Sequence, residues 1–293
     1  SNKLSLNDNF IQDKSNLMFG LDSNVLDSNV LGIENFKGNN NLEEVLIIKS
    51  KDNDVVNLFI SGFLSEYNID KVKITDLKDI KNYSIDDFNI VLALTSEAAN
   101  FLKNNYNSKA LNIYSLVLSP STLGLDNKFV GFATYPDLKV IIAEIKKSYP
   151  YIKNIGIIYS MGDYSLNKIL SEIKKDQINL IPINVNNYNI NKIENKIRDC
   201  DMVFIIPDIF TLQEENLFKI IYTSKKYNKL IVSTHKVLLN YGVDIVFSLD
   251  YKALGKQVAN FVKYYSSNKL SKPTQNYLFY SNQFIIFTKE SGI

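Results

Sequence analysis

The run Ile90-Val91-Leu92-Ala93-Leu94-Thr95-Ser96-Glu97-Ala98-Ala99 decides how this chain folds. Its first five residues are apolar without interruption, which marks a strand covered on both faces, as in a parallel sheet. Thr95 or Ser96 can then cap a helix, because a hydroxyl accepts from a backbone N–H that the first helical turn leaves unpaired. Strand, short loop and helix in that order make half of a β-α-β unit. The same helix start gathers N–H donors and the positive end of the helix dipole, so it could hold a carboxylate; the plainer alternative is a cap without a ligand.

The pattern spreads outward from this run. Strands are expected at Val45-Leu46-Ile47-Ile48, Val72-Lys73-Ile74 and Ile113-Tyr114-Ser115-Leu116-Val117-Leu118. Helices are expected at 53–67, 96–105 and 135–148. In the last of these, Leu138, Ile141, Ile142 and Ile145 share one face, with Lys139, Glu144, Lys146 and Lys147 outside. Pro150 interrupts the chain and the series restarts. Strands follow at Ile155–Tyr159, Leu180–Ile183, Met202–Ile206 and Leu230–Ser233, with helices at 164–175, 189–198 and 211–226. A final helix over about 250–267 and a terminal strand pair over 276–288 complete the chain.

Two such series predict an α/β protein of two doubly wound Rossmann-like lobes with a cleft between them. Lobe 1 is expected to comprise 44–134 plus 250–272, and lobe 2 to comprise 135–249 plus 273–293. Residues 1–43 are rich in Asn, Ser, Asp and Leu, and Leu21-Asp22-Ser23-Asn24-Val25 is repeated at Leu26-Asp27-Ser28-Asn29-Val30. They read as an N-terminal extension or tether. Ser1-Asn2 reads as a cleavage scar, which leaves a removed targeting segment open.

Composition narrows the function. The 293 residues carry 33 Lys and Arg against 31 Asp and Glu, a net charge of +2, which does not suit a nucleic-acid partner. No apolar run approaches the ~20 residues that span a bilayer. One cysteine, Cys200, excludes an internal disulfide, and with one histidine, His235, it leaves no Cys/His metal cluster. Eleven glycines include no phosphate-binding or dinucleotide loop, so no cofactor is expected. No G-x-S-x-G elbow presents a nucleophile, and His235 beside Thr234 does not make a triad. Arg198 is the only arginine, and it lies at a helix end away from the strand-end loops, so an anionic ligand would depend on helix starts, hydroxyls and lysine.

Open α/β sheets bind ligands beyond the carboxyl ends of their strands. The loops there carry the candidates. Thr95 and Ser96 open a helix. Ser119 and Ser121, in Leu118-Ser119-Pro120-Ser121-Thr122-Leu123-Gly124, either line a site or form a turn. Tyr159, Ser160 and Tyr164 could stack on and hydrogen-bond a flat ligand; equally, Tyr159 could end a strand and Asp163 cap a helix. Asp208 follows an apolar strand and is either a ligand group for an amine or hydroxyl, or a helix cap. Thr234 follows the last strand of the second series.

In this order, the segments resemble a known family. Ile90–Ala99, Leu111–Ser115 through Ser119-Pro120 to Gly124-Leu125, Phe129-Val130-Gly131-Phe132, Pro150–Tyr159, Asp201–Asp208 and Leu249–Ala259 follow the motif order of ABC-importer solute-binding proteins, in the subgroup related to tryptophan- and phenylalanine-binding proteins, with the type I periplasmic-binding fold. The resemblance covers about 45–293. Ser119 stands where the family has an acid, and Val130 where it has a threonine. The resemblance implies capture without chemistry, by lobes that close about hinges near 133–135, 249–250 and 272–274. It implies an amino acid or similar metabolite as ligand. Thr95 and Ser96 would hold its carboxylate with Ser119 and Ser121 assisting, Asp208 would face its ammonium, and Tyr159 or Tyr164 would cover its side chain. The implied partner is an ABC permease and the implied location extracytoplasmic, periplasmic or anchored at the surface as a lipoprotein. The rival expectation is the extracellular sensor domain of a membrane receptor such as a histidine kinase, with downstream signalling domains as partners.

Overall fold

The computed structural model describes residues 42–125, 129–160, 170, 178–186, 190–268 and 277–289. The expected tether over 1–43, apart from its last two residues, the expected helix over 164–175 apart from residue 170, and Tyr164 lie outside the described residues. Along the chain come β1 (Val45–Lys49), α1 (Asp54–Glu66), β2 (Val72–Asp76), β3 (Ile90–Leu94), α2 (Ser96–Asn104), β4 (Leu111–Ser115) and β5 (Val130–Phe132). The second series is α3 (Leu138–Ser148), β6 (Asn154–Tyr159), β7 (Asn179–Asn184), α4 (Ile190–Arg198), β8 (Met202–Ile205), α5 (Glu214–Lys226), β9 (Leu230–Ser233) and β10 (Ile245–Leu249). After it come α6 (Tyr251–Asn268), β11 (Tyr277–Phe279) and β12 (Phe284–Thr288).

These elements form two compact units. Of the described residues, the first takes those from 42 to Thr134 and again those of Asp250–Ser281; the second takes those of Tyr135–Leu249 and those from Asn282. Each unit holds one six-stranded sheet, ordered β11-β5-β4-β3-β1-β2 in the first and β12-β10-β9-β8-β6-β7 in the second. Every neighbouring pair in the first sheet is parallel. The second sheet is parallel except where β12 runs antiparallel to β10. In the first unit Val45–Ile48 and Ile90–Leu94 are wholly buried, as unbroken apolar runs in a sheet covered on both faces require.

Several expectations are corrected. β4 ends at Ser115, because Leu116 has a φ of +60° and cannot continue a strand. Two strands escape a reading based on helix-strand alternation: β5 is only three residues long, and β10 is reached from β9 through a 3-10 helix at Lys236–Tyr241. Glu144 is buried, accepting a hydrogen bond from Ser148 Oγ at 3.0 Å. The expected terminal strand pair does not pair with itself. Aromatic packing divides it: Phe279 stacks on Phe132 at 5.3 Å and meets Phe261 at 5.6 Å, while Phe284 packs edge-on against Phe247 at 5.4 Å. β11 therefore extends the first sheet and β12 the second, and the chain passes between the units after Ser281 rather than near 272–274.

One helix pair in the first unit depends on glycine. α6 crosses α1 so closely that a Cβ at Gly62 would overlap the Lys252 carbonyl, and one at Gly255 the Phe59 carbonyl. Both obstructions are backbone, so neither can swing aside.

Candidate functional site: the carboxyl edges of the two sheets

Five strands of each sheet share one topology, β2-β1-β3-β4-β5 in the first and β7-β6-β8-β9-β10 in the second. The chain leaves β1 to one side and returns on the other, so the order reverses between β1 and β3, and likewise between β6 and β8. Beyond the carboxyl ends of strands at such a reversal, helix starts and loops diverge and leave a crevice.

In the first unit, Ser50 follows β1 and Thr95 follows β3. The Thr95 N–H donates to the Ser115 carbonyl at 3.1 Å, tying the end of β3 to that of β4. Thr95 has φ +80° and ψ 166°, a region that is essentially glycine's and costs of order 1–3 kcal/mol. This turn spends the Thr95 hydroxyl elsewhere. It makes no cap hydrogen bond to α2, contrary to expectation, and is instead hydrogen-bonded to the Ser50 hydroxyl. Glu97 supplies the charge at the helix start. Its Oε2 lies 3.1 Å from Ser50 Oγ and 3.4 Å from Thr95 Oγ1 and accepts from whichever hydroxyl is not donating to the other, and Lys51 Nζ lies 3.9 Å from Oε1. Its own backbone N–H, then Ser50, Lys51 and Thr95, hold its carboxyl below the usual carboxylate range against the opposing effect of burial. Ser96 is the half-buried first residue of α2. The expected carboxylate position at Thr95 and Ser96 thus already contains an acid of the protein.

Ser119 and Ser121 fall in a separate turn. There Leu123 and Gly124 donate back to the carbonyls of Ser119 and Ser121 at 3.4 and 3.1 Å, and Lys103 Nζ donates to the Leu123 carbonyl at 2.8 Å. Gly124 takes the left-handed φ of +66° that this turn needs. The turn reading is the one its hydrogen bonds support.

The second unit brings Ser160, Asp208 and Thr234 to the ends of three neighbouring strands, β6, β8 and β9. Asp208 is buried, and its carboxylate accepts three backbone N–H groups: Ser160 at 3.0 Å on Oδ2, and Phe210 and Thr211 at 2.8 Å on Oδ1. Thr211 Oγ1 in turn accepts from the Asp208 N–H at 2.9 Å and donates to the Ile206 carbonyl at 2.8 Å. This exchange fixes the loop before α5 and moves the start of that helix to Glu214, three residues later than expected. Most of the roughly four acceptor positions of the Asp208 carboxylate are therefore committed to the backbone. The Ser160 and Thr234 side chains are both 0% exposed, yet Ser160 Oγ and Thr234 Oγ1 have no hydrogen-bond partner among the described residues. Tyr159, half-buried, ends β6, and its carbonyl accepts from Val185 at 2.9 Å.

Ser50 and Glu97 escaped the sequence reading because Lys49-Ser50-Lys51-Asp52 and Ser96-Glu97 look like ordinary solvated stretches. A signal was present: Ser50 follows the first strand of its series as Ser160 follows the first strand of the other. Among the described residues no three His, Cys, Asp or Glu side chains stand together as metal ligands. Arg198 is engaged at the far end of α4, where it donates to the Tyr227 hydroxyl at 2.9 Å and lies 4.9 Å over that ring.

No family model matches the chain, and neither does any curated protein. Solved structures do match. The ligand-free, open CD0873, a substrate binding protein with adhesive properties from Clostridium difficile, aligns at a TM-score of 0.56 and 12% identity over 84% of this chain and 92% of its own. An ABC domain from Streptococcus pneumonia in complex with L-Trp aligns at 0.51 and 14% over 85% and 93%. A mutant XylFII-LytSN complex aligns at 0.50 and 12% over 84% and 98%. At such identities the likeness is one of fold, and the fold is that of type I periplasmic binding proteins.

Proposed function

We propose that this chain is a solute-binding protein that captures a small polar metabolite and performs no chemistry on it. The carboxyl-edge loops of the second unit, which carry Ser160 and Thr234, would hold the solute, and the chain crossings at 134–135, 249–250 and 281–282 would act as hinges. One observation carries this reading. Two fully buried hydroxyls, Ser160 and Thr234, flank the Asp208 loop without partners among the described residues. Buried polar groups in folded proteins are hydrogen-bonded almost without exception, so these two reserve capacity for a bound molecule. The fold shared with CD0873 and the L-Trp complex supports the same role.

The partner in this reading is an ABC permease and the setting extracytoplasmic. Among the described residues no helix is long and apolar enough to cross a membrane. A second reading, a sensor domain reporting to a membrane receptor, draws its support from the neighbour solved as a XylFII-LytSN complex. Native mass spectrometry of the protein recovered from cells, followed by calorimetry with the solute it carries, tests capture. Ser160→Ala with Thr234→Ala should weaken that solute at least about tenfold, the loss of a buried hydrogen bond or two, while the fold persists. A protein that carries and binds nothing contradicts the proposal. Stimulation of a reconstituted permease's ATPase by the loaded protein separates transport from sensing.

A further inference from the structure

In the second unit, α5 and the 3-10 helix at Lys236–Tyr241 leave an apolar face uncovered. Eight large hydrophobic side chains are exposed among the described residues, and four of them, Phe218, Tyr222, Val237 and Tyr241, belong to these two elements. Phe218 and Tyr241 adjoin, with ring centroids 6.1 Å apart, and Tyr222 is 71% exposed. Single apolar residues at a surface need no explanation, whereas several on one face mark a contact surface. α5 buries Leu217, Ile220, Ile221 and Ser224 in its own unit. By helical periodicity its opposite stripe runs through Glu215, Phe218, Tyr222 and Lys226.

The order of charges along that stripe identifies what covers it. About Ile220, the midpoint of the helix, α5 is complementary to its own reverse: Glu214 mirrors Lys226, Glu215 mirrors Lys225, and Phe218 mirrors Tyr222. A second α5 laid antiparallel on the first, with the twofold axis at Ile220, sets every acid against a lysine and the aromatic rings against each other. Two of these charges have partners in their own chain, Glu215 with Lys219 at 2.9 Å and Lys226 with Glu194 at 3.0 Å. Both pairs are open to water, which screens them, so they can be shared at little cost. At the lysine end, Lys225 adjoins Lys289, which holds the Lys225 ammonium below the usual lysine range. An incoming carboxylate relieves that crowding of like charge. We infer that α5 and the 3-10 helix beside it form an isologous docking face for a second copy of this chain. The 13 residues of α5 span about 20 Å. That places the interface at the small end of specific contacts, with a Kd on the order of 100 μM.

Sedimentation of the full chain over a range of concentrations tests this. The wild type should pass from monomer to dimer and no further, because an isologous contact closes on itself. Glu215→Lys leaves α5 with lysine at both ends, and Lys225→Glu leaves it with acid at both ends. Each variant alone should dimerise about tenfold more weakly, since the twofold axis repeats every lost pair. An equimolar mixture of the two should recover the wild-type affinity, because every acid again meets a lysine. Glu214→Lys and Lys226→Glu give a second such pair, and thermal melts matching the wild type establish that each variant folds. Tyr222→Ser should also weaken the dimer. A wild type that stays monomeric up to about 1 mM overturns the inference. So does a dimer indifferent to these substitutions, a mixture that recovers nothing, or an assembly that grows beyond two copies. A monomeric wild type that sediments with vesicles of phosphatidylglycerol and phosphatidylcholine, and loses them in Tyr222→Ser, makes the face a membrane contact and overturns it as well.

Discussion

The two units share one strand order but hold their reversal crevices together by different means. In the first, the acid is supplied by a helix residue, Glu97, and is gripped by hydroxyls and its own N–H, remaining open to water. In the second, the acid belongs to a loop, Asp208, and is buried under three backbone N–H groups, and the nearby Ser160 and Thr234 hydroxyls have no partner among the described residues. The exposed acid can exchange its partners for water at little cost. The buried one cannot, because each N–H it releases would be stranded. The same topology thus yields one edge whose acid stays exposed and one whose acid is spent on its own loop.

Substitutions can break or sharpen this contrast. The largest effect should come from the first unit's helix pair: Gly255→Ala should lose about 3 kcal/mol or more in chemical denaturation, since its methyl meets the Phe59 backbone. Asp208→Ala should cost about 2–3 kcal/mol, because buried N–H groups lose their acceptor. A cost as small as that of Glu97→Ala would refute the division between architectural and accessible acids. In the second unit, Gly156→Ala should cost only about 1–2 kcal/mol, because its methyl meets the side chains of Cys200 and Ile183, which can shift. The smallest effect is a pH dependence at Glu97. Its folded value is lowered, so its contribution is present above the ordinary value of 4.5 and is lost as pH falls through the folded value. Screening limits it to a few tenths of a kcal/mol. The Tm gap between the wild type and Glu97→Gln should therefore be small at pH 7 and close on acidification.

The sequence made the central strands legible and the edges hard to read. Ile90–Leu94 and Val45–Ile48 stand out because a doubly covered strand must be apolar at every position. β10 does not, since no helix-length stretch separates it from β9. β11 and β12 read as partners because they are neighbours in sequence, whereas Phe132 and Phe247, far away in the chain, decide which sheet receives each. At the strand ends, the positions of Thr95, Ser160, Asp208 and Thr234 were legible because the loops after strands can be placed from the strands themselves. Their hydrogen-bond partners could not be found that way, and Tyr164 lies outside the described residues.

By itself, then, the sequence determined two β-α-β series and the loops on which any site must lie, because burial on both faces imposes a pattern visible residue by residue. Tertiary structure alone decided that the Thr95 hydroxyl meets Ser50 rather than capping α2, and that Asp208 spends its oxygens on the backbone. Those outcomes depend on contacts such as Ser50 with Glu97 and Ser160 with Asp208, 47 and 48 residues apart. Periodicity carries no trace of which distant donor a carboxylate will meet; only the register of neighbouring strands brings the two together.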